Sequence, residues 1–363
     1  MKHFPVQAPR QILVTCPQRL GDVLLSTALI HSLKQAWPQA AIDVLVFKGT
    51  EGVLAGNPDI RHVHSQAARA SLWDKLRELS RLWRRYDLAI AAMPTDRSRL
   101  YAWAGGRFRI GFLTGQANEK QKAWWLDRHV LFDDLDTHTV AMQGQLLELL
   151  GMPSLGHVIP PALTAEELAR FKPELSSAPY VVLHPCPKFR YKMWPQLAWV
   201  ELATQLRELG YEIVFSGGYD ADEQAYVSAI AAQLQFPSRN FSGRLSFAHS
   251  ATLLESAALY VGPDTVMTHL AAACGTRTIA LFGPSNPVKW GPWPVRWASK
   301  LSPWQRIGSA CQGNVYLVQG EADCVPCMEE GCDRHVNSPS ACLDRLPSTR
   351  IMSAAKVLLG LRP

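Results

Sequence analysis

Four short constellations in this 363-residue chain carry residue types suited to chemistry on an anionic ligand. The first is Gln18-Arg19-Leu20-Gly21-Asp22, directly after an apolar run and opening a helical pattern. Gly21 permits a tight strand-to-helix turn, and Asp22 falls at or near the helix start, where free N–H groups favour a carboxylate. Plain helix capping explains Asp22 as well as a second role does, that of a base taking a proton from a hydroxyl. The second constellation is Val261-Gly262-Pro263-Asp264-Thr265, leading into Val266-Met267-Thr268-His269-Leu270-Ala271-Ala272-Ala273. A buried strand there runs into a small-residue helix whose first N–H groups and dipole suit a phosphate. Thr265 can donate to a phosphate oxygen, and His269, four residues on, shares its helix face. The third is the loop Lys188-Phe189-Arg190-Tyr191-Lys192-Met193-Trp194-Pro195, whose cations could neutralise a leaving diphosphate or form a solvated basic loop. The fourth is Ser216-Gly217-Gly218 followed by Asp220, Asp222 and Glu223. Its glycines allow close ligand approach, and a carboxylate there could accept from ribose hydroxyls.

These groups need elements to hold them, and the chain supplies strand, loop and helix in alternation. Apolar, β-rich runs occur at residues 12–16, 42–47, 88–93, 180–184, 212–216, 259–262 and 278–282. Helical spacing marks 22–36, 72–86, 139–150, 195–209 and 221–234. Strands buried on both faces, with helices between them, predict parallel sheets in an α/β protein. The alternation pauses over 151–161, rich in glycine and proline, and over 174–178, and the interdomain linker is expected in that stretch. Between the two lies a short helix capped by Thr164, with Glu166 and Glu167 in its first turn.

Composition narrows the classes further. With 47% apolar and 19% charged residues the chain can fill two cores and does not read as disordered. It has no apolar run of spanning length, and residues 1–10 hold two prolines and no apolar stretch. A cytoplasmic location follows as an expectation. Residues 1–160 hold 19 Lys/Arg against 14 Asp/Glu, most of the chain's net +6. An anionic partner for the first half, or a solvated basic surface, accounts for that excess. There is no G-x-G-x-x-G, Walker A or H-E-x-x-H motif, which argues against dehydrogenase, ATPase and zinc-protease chemistry. Basic residues are spread without a nucleic-acid reading motif, so no nucleic-acid partner is expected. Cys324-Val325-Pro326-Cys327 with Cys332, His335 and Cys342 suggests either a structural zinc site or reduced thiols.

Taken together, the motifs resemble the bacterial lipopolysaccharide heptosyltransferases, glycosyltransferase family 9, over nearly the whole chain. The resemblance is carried by Arg19-Leu20-Gly21-Asp22-Val23-Leu24-Leu25-Ser26-Thr27, Gly262-Pro263-Asp264-Thr265 and His269-Leu270-Ala271-Ala272-Ala273. Leu281-Phe282-Gly283-Pro284-Ser285, Trp290-Gly291-Pro292-Trp293 and Lys192-Met193-Trp194 add to it and are most similar to the heptosyltransferase III branch. The resemblance implies a GT-B fold, two Rossmann-like domains with parallel sheets facing a central cleft. It implies an acceptor-binding domain over 1–165, a nucleotide-sugar domain over 175–345, and a final helix over 346–363 packing back on the first. An ADP-heptose donor, inversion at the anomeric carbon and no catalytic metal follow from it. So do a phosphorylated, lipid-linked core oligosaccharide as acceptor and peripheral contact with the cytoplasmic face of the inner membrane. On this resemblance Asp22 and Lys192 are catalytic, and Gly21, Gly217, Glu223, Asp264, Thr265 and His269 hold the donor. For the acceptor, Arg97, Arg99, Lys120 and Lys122, with Arg107 and the interleaved Trp103, Trp124 and Trp125, are the candidates. Arginines fork onto phosphates and aromatics cover sugar faces.

Overall fold

The computed structural model describes residues 8–69, 71–297 and 299–361. These divide into two compact units, the first ending at Pro161 and also taking in residues 299–302. The division falls before the Thr164 helix, where the 151–161 stretch ends.

The first unit is built on strands β1 (Gln11–Thr15), β2 (Ala41–Phe47), β3 (His62–Gln66), β4 (Tyr86–Ala91), β5 (Gly106–Leu113) and β6 (Arg128–Leu131). They form one sheet in the order β3-β2-β1-β4-β5-β6, with every pairing parallel. Its helices are α1 (Leu20–Leu25), α2 (Thr27–Ala36), α3 (Leu72–Leu82), α4 (Asp96–Gly105) and α5 (Thr139–Glu148). Central strands such as β1 are apolar on both faces because helices cover both, and Ile12, Leu13 and Val14 are wholly buried. The single helix expected over 22–36 is split at Ser26. The hydroxyls of Ser26 and Thr27 donate to the carbonyls of Val23 and Leu24, each at 2.7 Å. Such back-bonding bends or interrupts a helix. Strand β5 was not legible because arginine alternates with its apolar residues. Arg109 is nevertheless buried there, forked onto Asp127 at 2.9 and 3.0 Å.

The second unit repeats the plan. Its strands are β7 (Tyr180–Leu183), β8 (Glu212–Phe215), β9 (Arg239–Asn240), β10 (Leu259–Pro263), β11 (Thr278–Phe282), β12 (Ala310–Gln312) and β13 (Val315–Gln319). The order is β12-β13-β11-β10-β7-β8-β9, with β12 alone antiparallel, on the edge. Its helices are α6 (Ala165–Phe171), α7 (Gln196–Glu208), α8 (Ala221–Ala231), α9 (Phe247–Glu255), α10 (Val266–Ala273), α11 (Pro287–Trp290), α12 (Ala341–Asp344) and α13 (Ser348–Leu359). Leaving out β12, both sheets follow the doubly wound 3-2-1-4-5-6 order. Ligands in such sheets bind outside the carboxyl ends of the strands where the order reverses, β1/β4 in one unit and β7/β10 in the other.

The terminal helix α13 belongs to the second unit, against α7, β10, β11 and β13. Ile351, Met352, Ala354 and Ala355 are buried in the same core as Trp194, Trp199 and Leu346. Its apolar stripe is therefore satisfied within the sheet layer from which it emerges.

Candidate active site

In the second unit, polar groups gather at the carboxyl ends of β7 and β10, the point where the strand order reverses. Lys192 Nζ donates to Asp264 Oδ2 at 2.5 Å, joining the loop after β7 to the turn after β10. The Lys192 loop is held from below. Trp194 is wholly buried and its Nε1 donates to the Leu346 carbonyl at 2.8 Å. Ser340 Oγ donates to the carbonyl of Tyr191 at 2.6 Å, and the Arg190 N–H to that of Val336 at 3.1 Å. Lys188 and Arg190 stay exposed, so among the three cations expected here Lys192 alone is paired with Asp264.

Burial disfavours the Asp264 carboxylate, but Lys192, His269 and Ser285 around it prevail and hold its pKa below the usual value. Asp264 is thus an anion inside the fold. His269 lies on the first turn of α10, with its N–H accepted by the Thr265 carbonyl. Burial lowers its pKa to about 4 against the opposing pull of Asp264, so the imidazole is neutral near pH 7. Its Nδ1 is buried without a hydrogen-bond partner among the described residues. Thr265 Oγ1 is in the same position, with the phenol of Tyr260 close by. Buried polar atoms left open this way cost stability unless a ligand meets them. Thr265 occupies the N-cap of α10 without using its side chain as the cap, so its hydroxyl stands beside the first N–H groups of that helix, a favourable setting for an anion.

The flanks of this site are close-packed. A Cβ on Gly262 would lie 2.2 Å from Tyr260 Oη, so only glycine fits there. His184, at the end of β7, shares a 3.0 Å hydrogen bond with Ser216 at the end of β8 and stacks on Tyr260. Burial depresses its pKa to about 4 as well. Of this His184–Ser216–Tyr260 floor, the sequence marked Ser216 at the head of the Gly217-Gly218 motif, whereas His184 and Tyr260 read only as strand residues. Glu223 Oε2 accepts the Gly218 N–H at 2.7 Å, and burial raises the Glu223 pKa despite that bond. Gly217 is packed against Ser242. Of the neighbouring acids, Asp220 caps α8 through the N–H groups of Asp222 and Glu223, while Asp222 is exposed. Glu223 is therefore the carboxylate that folds back over the Gly217-Gly218 turn.

In the first unit, Asp22 is the third residue of α1, with Arg19 at the cap position and half-buried Gly21 between them. The simple N-cap assignment is thereby corrected. Asp22 is 6% exposed and close enough to Cys16 to help burial raise that thiol's pKa. It stands where β1 ends, beside the β1/β4 reversal. Helix α4 begins at the same reversal, after β4, and carries Arg97, which lies over the Phe47 ring at 4.9 Å. Arg99 is a correction. It is 1% exposed, donating to Glu119 at 2.6 and 3.2 Å, to Asp96 at 2.7 Å and to the Phe112 carbonyl. Arg99 in turn lowers the Glu119 pKa to about 2. This arginine is an internal brace and offers nothing to an acceptor. Lys122 is partly exposed and paired with Asp96 at 2.8 Å; the side chain of Lys120 lies outside the described residues. Arg107 is exposed, 4.0 Å from Asp87. Trp103, Trp124 and Trp125 run edge to face at 6.0 and 5.9 Å.

The cysteine segment forms a loop-rich cap on the second unit. Burial, then Cys327, Cys324 and Cys332, push the Cys342 thiol up to about 11, and the Ala341 N–H points at Cys332 Sγ, 3.4 Å away. Among the described residues no group of three or more His, Cys, Asp or Glu side chains is arranged to hold a metal.

Comparison with known proteins agrees with this layout. The chain is 30% identical over 297 residues to lipopolysaccharide heptosyltransferase 3 of Escherichia coli, covering 75% of this chain and 83% of that protein. The crystal structure of a family 9 glycosyl transferase from Veillonella parvula superposes with a TM-score of 0.75 at 18% identity, over 96% of this chain and 97% of that one. The E. coli heptosyltransferase WaaC, solved with ADP, gives 0.68 at 20% identity over 96% and 99%. Both share its α/β fold of parallel sheets. The description of glycosyltransferase family 9 (heptosyltransferase) matches residues 69–313, from the first unit's α3 through the turn that opens β13, and the chain belongs to that family of glycosyltransferases.

Proposed function

We propose that the chain moves L-glycero-D-manno-heptose from ADP-heptose to a hydroxyl of the lipopolysaccharide inner core, by an inverting displacement that needs no catalytic metal. The observation that carries this reading is the group Lys192, Asp264, Thr265 and His269 at the β7/β10 reversal, with two buried polar atoms open to a ligand. A diphosphate fits it. Thr265 and the N–H groups of α10 would donate to phosphate oxygens, and neutral His269 would add a donor. Lys192 would meet the charge that grows on departing ADP, a role in which one preorganised donor is worth about 100- to 1,000-fold. Asp264 keeps Lys192 in place and can accept from a sugar hydroxyl. Glu223, folded over Gly217-Gly218, is the acceptor for ribose hydroxyls. Asp22 takes the proton of the attacking hydroxyl, a contribution of about 100- to 10,000-fold. The names of the relatives support the choice of sugar and acceptor, and the ADP in one of them supports the nucleotide.

Arg97 and Lys122 are proposed to contact acceptor phosphates from the first unit, with Trp103, Trp124 and Trp125 beside them. A lipid-linked acceptor also sets the reaction at the cytoplasmic face of the inner membrane. The test is to incubate the enzyme with ADP-heptose, UDP-sugars and truncated core acceptors, then read the mass added. A gain of one heptose from ADP-heptose alone is expected. Transfer from a UDP-sugar instead would redirect the reading to another nucleotide sugar on the same scaffold.

A further inference from the structure

Helix α3 leaves an apolar face unburied. Leu72, Leu76 and Leu79 recur at helical spacing, with Trp73 beside them and charged residues opposite. Leu79 packs at the edge of the unit's core and Leu82 is buried. Leu72, Trp73 and Leu76, in contrast, are 75%, 81% and 54% exposed. Trp83, just past the helix, is 52% exposed and meets Trp103 edge to face at 5.4 Å. Contiguous large apolar side chains in water mark a surface made to be covered.

Charge says what covers it. Residues 69–85 hold six Lys/Arg and two Asp/Glu, a net of +4 in a chain whose total is +6. Both acids are engaged locally: Asp74 with the cap Ser71, and Glu78 with His64 and Arg81. Arg77, Arg81, Arg84 and Arg85 are exposed. A helix with an apolar face including Trp and Leu, and arginines on the rest, suits the interface of an anionic bilayer. A second copy of the chain fits less well, since a two-fold contact would set +4 against +4. No helix among the described residues is long and apolar enough to cross a membrane, so the contact is one of lying on the surface.

We propose that α3, continued by Trp83, is an interfacial docking helix that lays Leu72, Trp73 and Leu76 into an anionic lipid surface. This rests on the membrane placement proposed above and names the surface that makes it, while its test needs neither donor nor acceptor. The test floats the full chain with phosphatidylcholine vesicles, with and without phosphatidylglycerol, in the absence of donor and acceptor. Salt-sensitive binding to the phosphatidylglycerol vesicles is expected, with tryptophan fluorescence quenched by brominated acyl chains. Leu72→Ser with Trp73→Ser and Leu76→Ser, and separately Arg77→Glu with Arg81→Glu, should each weaken binding at least about tenfold. Both variants should keep the wild-type melting temperature within a few degrees and full turnover on a delipidated acceptor. The proposal is overturned if the wild type fails to float, if no quenching is seen, or if folded variants bind as the wild type does. Sedimentation showing a dimer that the serine variant abolishes, without vesicle binding, would assign the face to a second copy and likewise overturn it. Loss of turnover in wild type on every acceptor would count against the sugar-transfer reading and leave the flotation result intact.

Discussion

At the scale of single residues, environment separates groups that look alike in the sequence. Arg97 and Arg99 stand two apart in one helix, yet one lies over an aromatic ring and the other is buried between carboxylates. Arg97→Ala should raise acceptor KM several-fold with little change in melting temperature. Arg99→Ala strands Glu119 in the interior and should cost about 3–5 kcal/mol of stability, read by denaturant unfolding. Asp22→Asn keeps the shape of its site, so donor affinity should hold while turnover falls at least about 100-fold; near-normal turnover would remove Asp22 from the role. The buried imidazoles set a pH dependence. His184 and His269 titrate near 4 in the fold and near 6.5 unfolded, so between those values the unfolded chain binds more protons. Stability from this source is full above pH 6.5 and is lost as pH falls towards 4. Melting temperatures recorded from pH 7 to 4.5 should decline, and His184→Gln should flatten part of that slope.

At the scale of elements, the Lys192–Asp264 group depends on two turns that have no slack. The β10-to-α10 turn passes over Tyr260 so closely that Gly262→Ala would force the phenol or the strand to move. Overpacking of this kind costs about 1–3 kcal/mol. Thermal unfolding with and without ADP should show lower stability and a smaller gain from the nucleotide. The loop bearing Lys192 depends on Trp194, pinned by Leu346 just before α13. Lys192 is thereby placed by a residue 154 positions away, something no local pattern announces.

At the scale of the whole molecule, each unit has its own doubly wound sheet, with candidate polar groups at the strand-order reversal. The last helix completes the second unit. Deleting residues 348–361 would expose the core that Ile351, Met352 and Ala355 close. We expect the truncated chain to show two separated thermal transitions, with the second unit's falling by ten degrees or more if each buried apolar side chain contributes about 1.5–3 kcal/mol. A single unchanged transition would contradict that assignment of α13.

The sequence alone determined the alternation of parallel strands and helices, because burial on both faces imposes continuous apolar runs. It also marked Asp22, Asp264, Thr265 and His269 as candidates, because polar residues following an apolar strand run stand out, while Lys192 was singled out from its neighbouring cations by the family resemblance. Strands that bury charge, such as β5 with Arg109, escaped it, since the compensating Asp127 is distant in the chain. Tertiary structure decided that Arg99 braces the interior, that Lys192 pairs with Asp264, and that α13 stays with its own sheet. Each of these depends on which strand lies beside which. Pairing order is a property of the assembled sheet, and periodicity along the chain does not encode it.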